Sequence, residues 1–413
     1  MKRFLIAFFV VLVVAGIVAA GYYLSSKKSA PAPESSGSLP PPAEGLPPEG
    51  TSTAVSPAAE TPPPTGISGA SLGLSLVSSE KFVSFAVATS GLVFGISPDG
   101  KIFSVDQKGA SSFISNAPID NFSGASFSFD ARKVVAFWGD NENRQFSVFD
   151  VASSTWQPLP LGTISAGWKP KSHVLSYLQD KGGVKTLYSW DMDKPKTKTQ
   201  SLLQVFFEDV SVGYLAADKI FLSEKSTGLA GSSFWIFDTT KKTLSPVVAD
   251  VRGSLLKWNS AGTEVLSFSG NINGAGGSLR LANVSGNTIS RFDKFLTLPA
   301  KCLFSSDIFA APTVVSTSTK APAPQPVLEN FLYCAVPRGQ KLLSQSLLPD
   351  SYEKRALFTA DDIFRINTDD GIASSVFTDA GRSFDVEKPA ISGTTFFFIN
   401  RYDQNLYALP IPK

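Results

Sequence analysis

Histidine and cysteine are almost missing from this 413-residue sequence, which has one histidine, His173, and two cysteines, Cys302 and Cys334. This scarcity excludes any four-coordinate zinc site built only from Cys and His ligands, and it leaves almost nothing for haem or iron–sulfur ligation. The formal net charge of +2 is too small to indicate a nucleic-acid partner. We therefore expect no cofactor, no metal site and no nucleic acid.

Helical periodicity of useful length is also lacking, whereas the 32 phenylalanines fall largely in short alternating runs. From about Leu72 to Ile411 these runs are separated by Gly, Asn, Asp and Pro turns, a pattern typical of a sandwich, barrel or propeller. A phrase of mostly apolar residues that ends on Asp or Asn recurs along the chain. Its copies are Phe103–Asp106, Ser147–Asp150, Tyr188–Asp191, Trp235–Asp238, Arg280–Asn283 and Phe364–Asn367. The first five are about 41 to 47 residues apart, the length of one four-stranded propeller blade.

The repeat predicts an all-β fold, a seven-bladed β-propeller over residues 70–413. Eight blades are the alternative, if the sixth region hides two. That region has a doubled gap between phrases, which two insertions explain, Pro312 to Pro326 and Arg338 to Ala360. The seventh blade runs one strand short, and Leu72 to Leu76 is the natural segment to complete it and to cover the exposed edges. The repeated Asp or Asn is interpreted as a turn residue, with a ring of ligand carboxylates as the alternative.

The N-terminal residues differ from the rest of the chain. Residues 1–24 contain an uncharged run from Phe4 to Leu24, long enough to cross a bilayer as a transmembrane signal anchor. The alternative is a signal peptide cleaved after Val18-Ala19-Ala20. Residues 25–67 are rich in Pro, Ser and Ala and predict a disordered linker. With either N-terminal interpretation, we expect the propeller to lie outside the cytoplasm.

Several short phrases point to a known kind of protein: Leu298–Cys302, Leu332–Pro337, Leu348–Tyr352, Ile114–Ile119, and Phe398–Arg401 followed by Leu406-Tyr407. With them the chain resembles membrane-anchored WD40-like propeller proteins of candidate-phyla (Parcubacteria-type) bacteria. More loosely, through Ser97-Pro98-Asp99-Gly100, it resembles the TolB-type propeller repeat. The resemblance covers most of residues 70–413 and implies no catalytic residues. The family's two cysteines are matched by Cys302 and Cys334.

Cys302 and Cys334 are the candidate disulfide. They would face each other if Asp307 and Asn330 flank one hairpin, because both pairs of numbers have nearly the same sum. A disulfide is plausible outside the cytoplasm. Two buried free thiols, or a reactive or metal-binding pair, are the alternatives.

The remaining candidates favour structural roles. His173 is interpreted as a surface residue, Ser78–Lys81 as strand and turn, Lys194–Lys198 as a solvated hairpin tip, and Gly270–Gly277 as a segment that joins two strands. The recurring tryptophans are interpreted as inter-blade packing, with a carbohydrate- or peptide-stacking face as the alternative; they are Trp138, Trp168, Trp190, Trp235 and Trp258.

No catalytic residue is assigned. We expect a single-pass, membrane-tethered extracytoplasmic propeller that acts as a binding or scaffold module in the cell envelope. The membrane and an envelope protein or polymer are the expected partners. The alternative is a propeller hydrolase or lyase that acts on an envelope polymer, which would need clustered carboxylates or histidine at the central channel.

Overall fold

The structure is a computed structural model that describes residues 73–88, 90–140, 143–293, 295–304 and 331–411. The predicted anchor and linker and the insertion Pro312 to Pro326 lie outside the described residues. Within the described ranges, no helix combines the length and the apolar character that a membrane crossing requires. The same ranges contain seven four-stranded antiparallel sheets, so the chain is an all-β, seven-bladed β-propeller. The eight-bladed alternative is wrong, because the sixth region contributes one sheet only.

Six of the sheets use four consecutive strands each, with the first innermost. Blade 1 contains β2 (Ser84–Val87), β3 (Val93–Ile96), β4 (Ile102–Val105) and β5 (Ser111–Ser115), and blade 2 contains β6 (Phe122–Phe127), β7 (Lys133–Trp138), β8 (Gln145–Asp150) and β9 (Thr155–Pro158). Blade 3 contains β10 (Thr163–Trp168), β11 (Val174–Lys181), β12 (Val184–Asp191) and β13 (Gln200–Val205), and blade 4 contains β14 (Val210–Ala216), β15 (Lys219–Glu224), β16 (Gly231–Asp238) and β17 (Thr243–Arg252). Blade 5 contains β18 (Leu255–Trp258), β19 (Glu264–Gly270), β20 (Gly277–Asn283) and β21 (Thr288–Arg291), and blade 6 contains β22 (Cys302–Phe304), β23 (Phe331–Pro337), β24 (Asp361–Asn367) and β25 (Ala373–Phe377).

Blade 7 joins the two ends of the propeller. It consists of β26 (Val386–Ser392), β27 (Thr395–Asn400), β28 (Asn405–Pro410) and, as its outer strand, β1 (Ser75–Lys81). The antiparallel register places Ser75 opposite Ala408 and Leu76 opposite Tyr407. An early strand therefore closes the ring, but the predicted bounds Leu72 to Leu76 were wrong. An outer strand buries few of its side chains, so the apolar run did not mark its extent.

Apolar side chains from neighbouring blades pack together between the sheets. One such cluster joins Val135 and Val148 of blade 2 to Tyr177 and Trp190 of blade 3. Trp168 packs against the same cluster. The interpretation of these two tryptophans as inter-blade packing is confirmed.

The Asp or Asn at the end of the third strand starts the turn that follows. The side-chain Oδ1 of Asp150 accepts hydrogen bonds from the backbone N–H groups of Ala152 and Ser153, each at 3.0 Å. The same contact to the backbone N–H two residues after the Asp or Asn recurs at Asp106, Asp191, Asp238, Asn283 and Asn367. The turn interpretation is confirmed for all six positions.

The second insertion of blade 6 contains two short helices, α1 (Gln340–Gln345) and α2 (Asp350–Glu353). The sequence did not predict them, because a helix of one or two turns is too short to show a period. We call residues 338–360 the cap segment. A 3₁₀ turn, Pro299–Lys301, precedes the inner strand of blade 6.

Candidate functional site

The alternating strand directions divide the loops between two faces of the propeller. Loops between the second and third strands of a blade lie on the same face as connections from one blade's outer strand to the next inner strand. We call this the cap face, because the cap segment joins β23 to β24 there. The first described strand, β1, begins on the face opposite to the cap face.

The cap segment is fixed to the loops of blades 4 and 5. The carboxylate of Asp350 accepts hydrogen bonds from the hydroxyl of Thr227 at 2.9 Å and from the backbone N–H of Gly228 at 2.7 Å. In blade 5, the N–H of Gly276 donates to the carbonyl of Ser346 at 2.9 Å. The cap segment thus bridges two neighbouring blades.

The other end of the cap segment contacts blade 7. The hydroxyl of Tyr352 donates to the carbonyl of Val386 at 3.2 Å, and Arg355 forms an ion pair with Glu387 at 3.2 Å. Leu348, between Ser346 and Asp350 in sequence, is fully buried. The cap segment therefore belongs to the packed core of the domain.

The cap segment contributes Tyr352 and Thr359 to a buried charge cluster, which is defined by Lys301, Tyr352, Thr359, Asp361, Asp385 and Arg401. At its centre, the Nζ atom of Lys301 is 2.6 Å from Oδ2 of Asp361 and 2.6 Å from Oδ1 of Asp385. It also donates to the Thr359 hydroxyl at 2.7 Å. The side chains of the lysine and both aspartates are at most 1% exposed, so these contacts form in a medium of low polarity.

Arg401 holds the second carboxylate in place. Its Nη1 is 2.8 Å from Oδ2 of Asp385, and its Nη2 donates to the carbonyl of Tyr352 at 2.7 Å. The guanidinium lies over the Tyr352 ring, 3.8 Å from its centroid. Because Thr359 also donates to Asp385 through its backbone N–H and its hydroxyl, both oxygens of Asp385 are paired.

Asp361 is less well satisfied than Asp385. Its Oδ2 accepts from Lys301 and from the backbone N–H of Val386 at 2.8 Å, while its buried Oδ1 has no hydrogen-bond partner. Burial raises the pKa of Asp361, although the neighbouring Lys301 charge acts to lower it. The cluster pairs two cations with two carboxylates, so its formal charges cancel. Of the two carboxylates, Asp361 is the less well stabilised in its charged form.

Large apolar side chains project from the loops of the cap face. Six of them, on loops of blades 2 to 7, each expose half or more of their surface: Leu161, Phe206, Leu229, Ile272, Leu342 and Tyr402. The loops that carry Leu229 and Ile272 are neighbours, since Gly228 and Gly274 both lie against the Leu347 side chain. On loops of the opposite face, three described residues are similarly exposed: Phe129, Val284 and Ile372.

The two cysteines occupy the positions that the hairpin hypothesis required. Cys302 of β22 lies directly opposite Cys334 of β23, with their Cα atoms 4.0 Å apart and their sulfurs joined in a disulfide. Asp307 and Asn330 lie outside the described residues. Both cysteines are fully buried, on the inner strand of blade 6 and on its neighbour β23.

His173 is less exposed than its interpretation as a surface residue implied, because its side chain is 11% exposed. Its Nε2 contacts Asp130 of blade 2 and its Nδ1 contacts Asp193 of blade 3, both at 2.9 Å. Burial acts to lower the pKa of His173, but the two carboxylates outweigh burial and raise it. Nearby, burial acts to raise the pKa of Asp150, yet the hydrogen bond from Lys133 and those from the backbone hold it at about 2.

These contacts lie on the face opposite to the cap face and link blades 2 and 3. Within the described ranges, no group of three or more Cys, His, Asp or Glu side chains is placed to hold a metal ion.

The buried charge cluster was missed by the sequence analysis. Its charged members come from four separate places, and none belongs to the blade repeat. The available signal was a charged residue immediately beside an apolar strand, as at Lys301 before β22 and Asp385 before β26. Such residues are usually solvated strand ends, so the signal has little weight without the fold.

Comparison with solved structures shows the propeller fold. A chain of the Mitotic Checkpoint Complex is similar with a TM-score of 0.51 at 11% identity, covering 88% of this chain and 100% of that one. An oligogalacturonate lyase in complex with manganese also has a TM-score of 0.51 at 11% identity, covering 81% and 90%. TolB from Acinetobacter baumannii has a TM-score of 0.37 at 9% identity, covering 76% and 60%. No protein-family model and no curated protein sequence matches the chain.

Proposed function

We propose that the chain is a membrane-tethered, extracytoplasmic propeller that binds or scaffolds an envelope component through its cap face. The observation that carries this proposal is the set of six exposed apolar side chains on cap-face loops. Exposed apolar groups that recur around one face are typical of a binding surface, and loops held on a rigid framework are where such surfaces usually lie. The finer family assignment, to membrane-anchored WD40-like propellers of Parcubacteria-type bacteria, is part of the same proposal.

The cap segment supports this role through its rigidity. Hydrogen bonds that Asp350 accepts from blade 4, and the ion pair between Arg355 and Glu387 of blade 7, hold the cap segment in place. A surface that is already ordered loses little conformational entropy when a partner binds. Apolar contacts of this kind favour a protein partner over a polysaccharide, whose surface is mostly hydroxyl groups.

Crosslinking capture from the protein's own envelope tests the proposal. The full chain is compared with a Leu229→Asp/Ile272→Asp variant of the cap face. The matched control, Val284→Asp/Ile372→Asp, places the same two charges on the opposite face. We expect the cap-face variant to lose the captured partner and the control to retain it. Equal capture by both variants would refute the cap face as the binding surface.

The hydrolase or lyase alternative has no specific support in the described residues. Asp385, which directly precedes the inner strand of blade 7, and Asp361, which begins the third strand of blade 6, are buried and engaged with Lys301. Recovery of polysaccharide alone, together with its turnover by the purified chain, would replace the binding proposal with the enzymatic one.

A further inference from the structure

The centre of the buried charge cluster brings an amine and two carboxyl groups together where water is excluded. The Nζ atom of Lys301 contacts Oδ2 of Asp361 and Oδ1 of Asp385, each at 2.6 Å. When an amine and a carboxyl group are held in contact inside a protein, folding has already met the entropic cost of bringing the two reactants together. Condensation is therefore far easier than between the same groups free in solution.

We propose that Lys301 and Asp361 condense to an intramolecular isopeptide bond that links the 3₁₀ turn before blade 6 to its third strand. The bond joins Nζ of Lys301 to Cγ of Asp361. It goes beyond the proposed binding role, since it concerns a covalent modification of the domain itself.

Asp361 is the acceptor because its surroundings favour the neutral acid. Its Oδ1 lacks a partner, and burial raises the pKa of its carboxyl group. The N–H of Val386, 2.8 Å from Oδ2, polarises the carboxyl group and stabilises negative charge that develops on that oxygen.

Asp385 is suited to relay protons. Its carboxylate pairs with Arg401, whose Nη1 lies at 2.8 Å, and accepts two hydrogen bonds from Thr359. Because both of its oxygens are paired, it is a poorer electrophile than Asp361, while its Oδ1 remains in contact with Lys301.

The reaction balances without any external reagent. A proton passes from the Lys301 ammonium group to the Asp361 carboxylate, which gives a neutral amine and a neutral acid. The nitrogen lone pair attacks Cγ and forms the C–N bond. Asp385 carries a second proton from nitrogen to the departing oxygen, the C–O bond breaks, and one water leaves. Asp385 ends as the carboxylate that it was, and one buried ion pair has become a neutral amide.

Peptide mapping of the full chain tests the proposal. The protein is denatured, reduced, alkylated and digested with trypsin. We expect a branched peptide in which residues 295–320 are joined to residues 356–365, with one water less than the sum of the two linear peptides. Recovery of residues 295–301 and 356–365 only as separate linear peptides would overturn the proposal. A branch to residues 383–401, which contain Asp385, would overturn the choice of acceptor.

Variants of the acceptor sharpen the test. Asp361→Asn should yield the identical branched peptide, because an asparagine side chain condenses with loss of ammonia and leaves the same amide. Lys301→Arg should abolish the branch. Asp362→Asn, at the adjacent half-buried carboxylate that pairs with Arg338, is the matched control and should leave the branch intact. The wild-type map decides the question even if a variant fails to fold.

Discussion

The Cys302–Cys334 bond should contribute measurably to the stability of the propeller. The cysteines are separated by 32 residues in sequence, so the bond restricts the unfolded chain by about 12.4 cal/mol/K, or about 3.7 kcal/mol at 25 °C. Because both cysteines are buried, reduction should require the unfolded state. We therefore expect protein that is unfolded and refolded with a reductant to be less stable by about 3 to 4 kcal/mol than oxidised protein.

Urea denaturation followed by tryptophan fluorescence measures this difference. The control is a Cys302→Ala/Cys334→Ala variant, whose free energy of unfolding should be the same with and without reductant. Two alkylatable thiols in denatured, unreduced wild-type protein would refute the disulfide itself. If the oxidised sample is fully disulfide-bonded and its free energy of unfolding still exceeds that of the reduced protein by less than about 1 kcal/mol, the chain-entropy argument is refuted.

Three further outcomes are expected. The imidazole of His173, the sole histidine, should titrate by NMR above its ordinary pKa of about 6.5, because Asp130 and Asp193 favour its charged form. The stability that this pKa shift adds is complete below the ordinary pKa and is lost as the pH rises through the raised pKa. The Asp130→Asn variant should lower the measured pKa. Asp150, whose folded pKa is about 2, adds stability that is complete above its unfolded value and lost as pH falls towards 2, so Asp150→Asn should flatten acid unfolding curves over that range. Asp350→Ala should cost about 1.5 to 3 kcal/mol and speed hydrogen exchange in the cap segment, and unchanged exchange there would contradict its anchoring role.

The blade repeat was predictable because it depends on local chemistry. Each phrase pairs a period of two with an Asp or Asn that starts its own turn, and both properties can be recognised without knowledge of the fold. Hairpin arithmetic predicted that Cys302 and Cys334 face each other, because antiparallel partners have a constant sum, but it left free thiols open as the alternative to a disulfide.

The closing strand shows where local information ends. Its partner β28 is more than 320 positions away in the numbering, and its own side chains are largely exposed, so no local pattern marks where the strand begins and ends. Ser78, which is buried and shares a hydrogen bond of 2.8 Å with Ser111 of blade 1, was hidden among polar neighbours.

The buried charge cluster was unpredictable for a related reason. Lys301 and Arg401 meet the same carboxylate, although 100 positions separate them in the numbering. Single charged residues beside strands occur throughout such a sequence, and only the closed ring decides which of them lose contact with water.

The pairing of β1 with β28 has a consequence for how the domain is made. A hydrogen bond from the Ser75 hydroxyl to the Ala408 carbonyl spans 333 positions of sequence. During synthesis from the N-terminus, β1 must wait without its partner until the strands of all seven blades, up to β28, have been translated. Closure of the ring is therefore expected to be a late step of folding, because it joins the strands that are most distant in sequence.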